Sequence, residues 1–363
     1  MRRHNAENEL VKREYLAWLK NAKTRGVATA DAAVAAIHAF ESFNRYGSFK
    51  SFRHEQAISF KSHLADQNHP KTGKPLSKAT LRARLMALKA FIEWLSREPG
   101  YKKTVRYSDA AYFNLSANET RIAAASREQK TPSIEQVIQV LETMPSDTLI
   151  KRRDRAVVAF VILTGARDSA VASMLLKDVD VTKGRVFQDA RHVKTKRAKT
   201  FTSLFYPVGD LPRRIVSEWI AELRTDLLFG PDEPVFPATA RGFDDHGLFH
   251  PDKLVRTPWA SAAPIRAIFK RAFETAGLPY ANPHSFRRTL VRLGYDLNLS
   301  QREQKAWSLS LGHDSIVTTS GYGPLSLDEQ ADVMAALAAA SATGGDELGA
   351  IVDRLAQIAR RRA

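Results

Sequence analysis

The chain has 363 residues, more than one ordinary hydrophobic core organises, and its 44% hydrophobic content can supply two. Lysine and arginine number 55 against 39 acidic residues, a formal charge of +16 that points to a polyanionic partner, nucleic acid first. There is no cysteine, which excludes disulfide scaffolds, cysteine-ligated zinc, iron–sulfur clusters and a thiol nucleophile. The polar start, Met1 to Glu9, is unlike a signal core, and no apolar run reaches ~18 residues, so a cytoplasmic protein without a membrane partner is expected.

The first hundred residues read as helices. Val11, Tyr15, Trp18 and Leu19 form one apolar face, Val34, Ile37 and Phe40 a second, and Leu81, Leu85, Leu88, Ile92 and Leu95 a longer third, each at helical spacing. A smaller element is expected over roughly 55–65. The polar faces carry many bases, among them Lys50, Arg53, Lys78, Arg82 and Arg84, which suit contacts to a phosphate backbone without choice of sequence. Residues 1–105 are therefore expected to form a basic helical bundle. Periodicity then fades and polar residues accumulate, so 106–130 reads as an exposed connector.

From Ser133 a capped helix begins, and a further helix over about 152–163 stops at Thr164-Gly165. Between Arg185 and Val208, β-branched and aromatic residues alternate with polar ones around a charged turn, the pattern of a small antiparallel hairpin or three-stranded sheet. Helical patterns return near 213–228, 263–276, 287–297 and 301–311. An alanine-rich stretch, 334–341, leads to Gly344-Gly345 and an amphipathic tail, so a main domain over 131–341 and a tail helix over 342–363 are expected.

Cutting a phosphodiester without metal or cysteine needs a nucleophile, cations for the extra charge of the pentacoordinate state, and an acid for the leaving 5′ oxygen. The second part of the chain offers such groups. Arg167 follows Thr164-Gly165-Ala166; His284 and Arg287 stand one helical turn apart; Leu311-Gly312-His313 is followed nine residues on by Tyr322.

These four elements, in this order, resemble the tyrosine recombinase or phage integrase family, whose signature is T-G-x-R, then H-x-x-R, then L-G-H and a tyrosine. The likeness covers about 131–324. It implies a mainly α fold: a helical, SAM-like core-binding domain and a mostly α catalytic domain with a small antiparallel sheet, closing on duplex DNA. It also implies a site-specific recombinase or integrase working without cofactor, metal or ATP. Tyr322 would form a 3′-phosphotyrosyl bond; Arg167 and Arg287 would grip the non-bridging oxygens, as a planar guanidinium can; His313 would add a hydrogen bond and His284 would handle a proton or orient the phosphate. The family's general acid is a lysine of the β-hairpin, here Lys194, with Lys196 and Lys199 as competitors because register decides which face each occupies. One departure stands out: position 170, commonly acidic in the family, is Ala170. The expected partners are double-stranded DNA carrying a specific site and three further copies, a homotetramer on paired sites, with the tail helix exchanged between protomers. Two rivals are a type IB topoisomerase and a non-catalytic DNA-binding relative.

Overall fold

The computed structural model describes residues 4–24, 26–68, 73–124, 131–240, 253–297 and 299–313. The chain divides into two compact units, Met1–Arg127 and Glu128–Ala363.

The first unit is helical. Its elements are α1 (Ala6–Asn21), α2 (Val27–Phe43), α3 (His54–Ala65), α4 (Lys78–Leu95) and α5 (Ala117–Ala124). Asn5 caps α1 by accepting from the amides of Glu7 and Asn8, and Ser77 caps α4 through the Thr80 amide. The apolar stripe of α4 is buried along its length, with Leu85, Leu88 and Ile92 fully enclosed. Phe40 of α2 meets Phe60 of α3 and Phe113 edge-on, at centroid separations of 5.2 and 5.7 Å. Truncating a centre such as Leu85 to alanine costs roughly 2–5 kcal/mol.

Two features differ from the sequence expectation. Val34 is exposed, and the buried stripe of α2 runs through Ala33, Ala36, Ile37 and Phe40 instead; these stand at i, i+3, i+4 and i+7, a helical face that counts the alanines and leaves Val34 one position to its side. The segment after residue 105 is not wholly a connector. A 3-10 stretch, Tyr107–Phe113, sinks Ala110 and Phe113 into the first core beside Tyr101 and Val105. Its short-period winding leaves no 3.6-residue stripe to read.

The second unit centres on α7 (Leu149–Thr164), buried continuously from Ala156 to its end. Around it lie α6 (Ile134–Thr143), α9 (Asp210–Thr225), α10 (Ala263–Thr275) and α11 (Pro283–Asp296). Ser133 and Gln136 form a capping box on α6. A one-turn helix, α8 (Asp168–Val171), follows α7. Strands β1 (Val179–Asp180), β2 (Arg185–Gln188) and β3 (Phe201–Leu204) make the three-stranded antiparallel sheet in that order. Val186 and Ser203 pair on its buried face while Phe187 and Leu204 face out. A smaller pair, β4 (Ala238–Thr239) and β5 (Leu254–Val255), and the helix α12 (Gln301–Ser310) complete the described α-helices and strands. Among the described residues no helix is long and apolar enough to cross a membrane.

Candidate active site

Three turns separated widely in sequence meet around one guanidinium. The first ends α7: Thr164 Oγ1 donates to the Phe160 carbonyl at 2.7 Å and accepts from the Ala166 amide at 3.2 Å, and Gly165 turns left-handed at φ +62°. A side chain at Gly165 would stand 2.8 Å from a Leu311 methyl, so glycine is required by conformation and by space. The second lies in α11, where Asn282 caps the Ser285 amide and Pro283 fits the first turn. This start puts His284 at the exposed end and Arg287 one turn deeper, 2% exposed. The third ends α12, where Gly312 (φ +69°) stops the helix and the His313 amide folds back onto the Ser308 carbonyl at 3.1 Å.

Arg287 joins all three. Its Nη1 donates to the Gly165 carbonyl, and its Nη2 donates to the Leu311 carbonyl at 2.6 Å and to His313 Nε2 at 3.0 Å. The expectation of an arginine facing outward to phosphate thus meets a side chain already hydrogen-bonded within the protein. The sheet supports the same turn from below: Gln188 Nε2 donates to Ser203 Oγ and Ser203 Oγ to the Ser310 carbonyl, both at 2.8 Å. The Tyr206 amide ties the end of β3 to the Leu163 carbonyl, and its hydroxyl donates to the Trp307 carbonyl at 2.9 Å.

Arg167, half-buried, stands at the N-cap position of α8 immediately after the first turn, with no capping bond from its side chain. Its charge reaches both histidines. The packing around the His284 ring, then Arg287, Arg288 and Arg167, hold its imidazolium down to a pKa of about 4, opposed by Asp168. His313 falls to about 4 as well, through burial first and then Arg287, Arg167, Lys199 and Lys196. Both rings are neutral near pH 7, so the positive charge of the site resides on arginine and lysine.

The lysines between β2 and β3 separate. Lys199 Nζ donates to the Gly312 carbonyl at 3.3 Å, beside His313. Lys196 is exposed yet within electrostatic reach of His313. Lys194 Nζ instead lies 3.4 Å from the Ala260 carbonyl. Tyr322 and the expected tail helix fall outside the described residues. Ala170 is 1% exposed in the core, where an acid would be buried. Its sequence neighbour Asp168 pairs with Arg266 Nε at 2.8 Å.

In the first unit, Lys50 pairs with Glu7 and lies over the Tyr101 ring, and Lys78 pairs with Glu119 at 3.1 Å. Arg53 donates to the neighbouring Phe52 carbonyl at 3.1 Å. Arg82 and Arg84 form no ion pair among the described residues. Sequence reading missed the carbonyl-bridging role of Arg287 and the hydroxyls of Ser169 and Ser173; no spacing rule signals a side chain that binds main chain far along the sequence.

The Phage integrase family model matches residues 131–326, more than half of the chain. The chain belongs to that family: it is a tyrosine recombinase, an enzyme that breaks and rejoins DNA strands at specific sites. Among its relatives, "Tyrosine recombinase XerC" of Lactobacillus delbrueckii subsp. bulgaricus is 25% identical over 260 residues, covering 70% of this chain and 75% of that protein. "Tyrosine recombinase XerD" of Corynebacterium glutamicum is 28% identical over 211 residues, 56% of this chain and 59% of that one. In fold the chain resembles a lambda integrase dimer bound to a COC′ core site, with a TM-score of 0.59 at 15% identity over 88% of this chain and 99% of that one. It also resembles XerH bound to a palindromic difH substrate in a post-cleavage complex, with a TM-score of 0.57 at 17% identity, over 85% and 79%.

Proposed function

We propose that Arg167, His284, Arg287, His313 and a lysine of the β2–β3 connection form the catalytic centre of a DNA recombinase whose nucleophile is Tyr322. The observation that carries this reading is the Arg287 side chain, which bonds Gly165, Leu311 and His313 together and so gathers the T-G-A-R, H-S-F-R and L-G-H segments into one cationic cluster. Arg167 and Arg287 supply two fixed positive charges for a phosphate losing its leaving group. Neutral His313 and His284 act as hydrogen-bonding groups; a neutral His284 is a fit acceptor for the Tyr322 proton. The phenolic oxygen attacks phosphorus, the P–O5′ bond breaks, and a lysine ammonium gives its proton to O5′. Lys199, closest by bonding to the L-G-H turn, is the best supported donor.

The substrate is double-stranded DNA with a defined recombination site, and the working assembly is a homotetramer on two paired sites, since conservative exchange needs four cleavages. Arg53, Arg82 and Arg84 are the first unit's contacts to the backbone; Lys50 and Lys78 contribute less because glutamates already pair with them. The protein acts in the cytoplasm without cofactor. The reading is tested by incubating the full-length protein, with chelator present, on nicked suicide duplexes that tile the DNA flanking its own coding sequence. A covalent adduct that Tyr322→Phe abolishes supports it, and an adduct that survives that substitution overturns it. Relaxation of a supercoiled plasmid lacking the site, by protein that stays monomeric, would assign the topoisomerase activity instead.

A further inference from the structure

We propose that Ser169 and Ser173 are positioning residues for strand cleavage: their hydroxyls pin the main chain of Lys194, and with it the lysine-bearing segment between β2 and β3, to the turn that carries Arg167. Ser173 Oγ accepts from the Lys194 amide at 2.8 Å, and Ser169 Oγ donates to the Lys194 carbonyl at 3.1 Å. Both donor and acceptor of one residue are thereby held by two serines of the α8 turn. Ser173 is 6% exposed and keeps its own proton for the Ser169 and Ala170 carbonyls, at 3.1 and 3.2 Å. Its lone pairs therefore face the Lys194 amide by necessity rather than by rotation.

Two neighbouring contacts make this end of the segment a fixed root. Val193 is 1% exposed, and His192 Nε2 bonds both oxygens of the buried Asp178 carboxylate at 2.8 and 2.9 Å. Asp178 in turn accepts from the Leu175 amide, so the whole root is fastened to the stretch just after Arg167. Beyond it the chain runs through Lys196, Arg197 and Ala198, the last two at φ 60° and 51°, to Lys199, whose ammonium meets the Gly312 carbonyl. A segment with a fixed root and a strained tip delivers its ammonium groups at a set distance from Arg167. Freed at the root, it keeps its charges and loses the distance.

The inference rests on the reading that a lysine of this segment protonates the leaving oxygen, and that reading supplies the test. On an ordinary substrate O5′ must take a proton as the P–O5′ bond breaks. With sulfur at the same bridging position the P–S bond breaks instead and the group leaves as a thiolate, which needs no proton because a thiol has a pKa of about 8.5. Full-length Ser173→Ala and Ser169→Ala are compared with the unsubstituted protein on matched oxygen and sulfur suicide duplexes. Ser173→Ala should slow adduct formation roughly 10- to 100-fold on oxygen while staying within about 3-fold on sulfur, with Ser169→Ala smaller in the same sense. Equal loss on both substrates, or no loss on either, overturns the proposal. The half-buried Ser169 provides the same comparison should Ser173→Ala fail to fold. An unsubstituted protein that forms no Tyr322 adduct on either duplex defeats the catalytic reading itself, whereas normal adducts with unaffected serine variants defeat the positioning role alone.

Discussion

Arg287 Nη2 lies 3.0 Å from His313 Nε2. A guanidinium has only donors to offer, so the Nε2 of His313 is the acceptor and the proton of the neutral ring stands on Nδ1. Protonating His313 would set two N–H groups against each other, beside further charge from Arg167 and Lys199, which is why burial and these cations together hold its pKa to about 4. The pair is thus a small electrostatic lock that closes only while the imidazole is neutral.

Acid should open it. Folded His313 titrates near 4 against 6.5 when exposed, so below about pH 6.5 the unfolded chain takes a proton that the native protein refuses. Stability is complete above that pH and is lost as pH falls toward 4, with a slope for this one group approaching about 1.4 kcal/mol per pH unit. Urea midpoints measured from pH 7.5 to 4.5 should fall accordingly, and His313→Gln should remove its share of the slope while leaving that of His284, whose pKa is also held to about 4. A curve unchanged by that substitution would mean that another group controls acid sensitivity.

Arg287→Lys should be far from conservative. A lysine ammonium cannot span the Gly165 and Leu311 carbonyls and still reach His313, and each charged hydrogen bond lost in a buried setting costs about 1.5–3 kcal/mol. The variant should melt at lower temperature, and its adduct formation should drop more than roughly 100-fold, beyond what loss of a single phosphate contact gives. A variant with normal melting and only a few-fold loss would show that the bridge holds little.

How far these relationships were legible in sequence follows from their range. The helix face of α4, the Ser133 cap and the Gly165 stop depend on neighbours within a turn or two, and the residue pattern announces them. The ordered T-G-A-R, H-S-F-R and L-G-H elements likewise mark which side chains converge. What the pattern does not hold is direction. Whether Arg287 points at solvent or at two carbonyls, and whether Lys194 or Lys199 turns toward His313, depends on strand register and on contacts from residue 165 to residue 311. Val34 shows the same limit on a smaller scale: its hydrophobicity suggests a core position, yet it is exposed while Ala33 and Ala36 beside it are buried.

Gly312→Ala should disable the site from beneath. At φ +69° a β-carbon there would come within 2.5–2.6 Å of Phe201 ring atoms, so both the conformation and the space forbid it. The expected cost is about 2–4 kcal/mol, from strain plus displacement of the half-buried Phe201 ring. Phe201→Ala, harmful alone, should remove the clash but not the strain, making the double variant more stable than the sum of the two losses predicts. Additive losses in a double-mutant cycle would place the cost elsewhere.

The three lysines of the β2–β3 connection can be told apart by the same leaving-group comparison used for the serines. Lys199 Nζ bonds the Gly312 carbonyl next to His313, Lys196 is exposed on the left-handed tip, and Lys194 reaches the Ala260 carbonyl on another path. A proton donor must lie where the O5′ oxygen departs, close to the groups that hold the phosphate, and a 3.3 Å bond to a carbonyl is weak enough to be exchanged for that oxygen. Lys199→Ala should therefore slow adduct formation on an oxygen duplex by about 100-fold or more, the usual worth of general acid catalysis, and recover on the sulfur duplex. Lys194→Ala and Lys196→Ala should each lose less than about 10-fold and gain nothing from sulfur, since they remove charge without removing the transferred proton. If sulfur rescues Lys194→Ala instead, the segment must swing on binding DNA so that Lys194 replaces Lys199 beside His313, and the bond to Gly312 is then a resting contact that cleavage breaks.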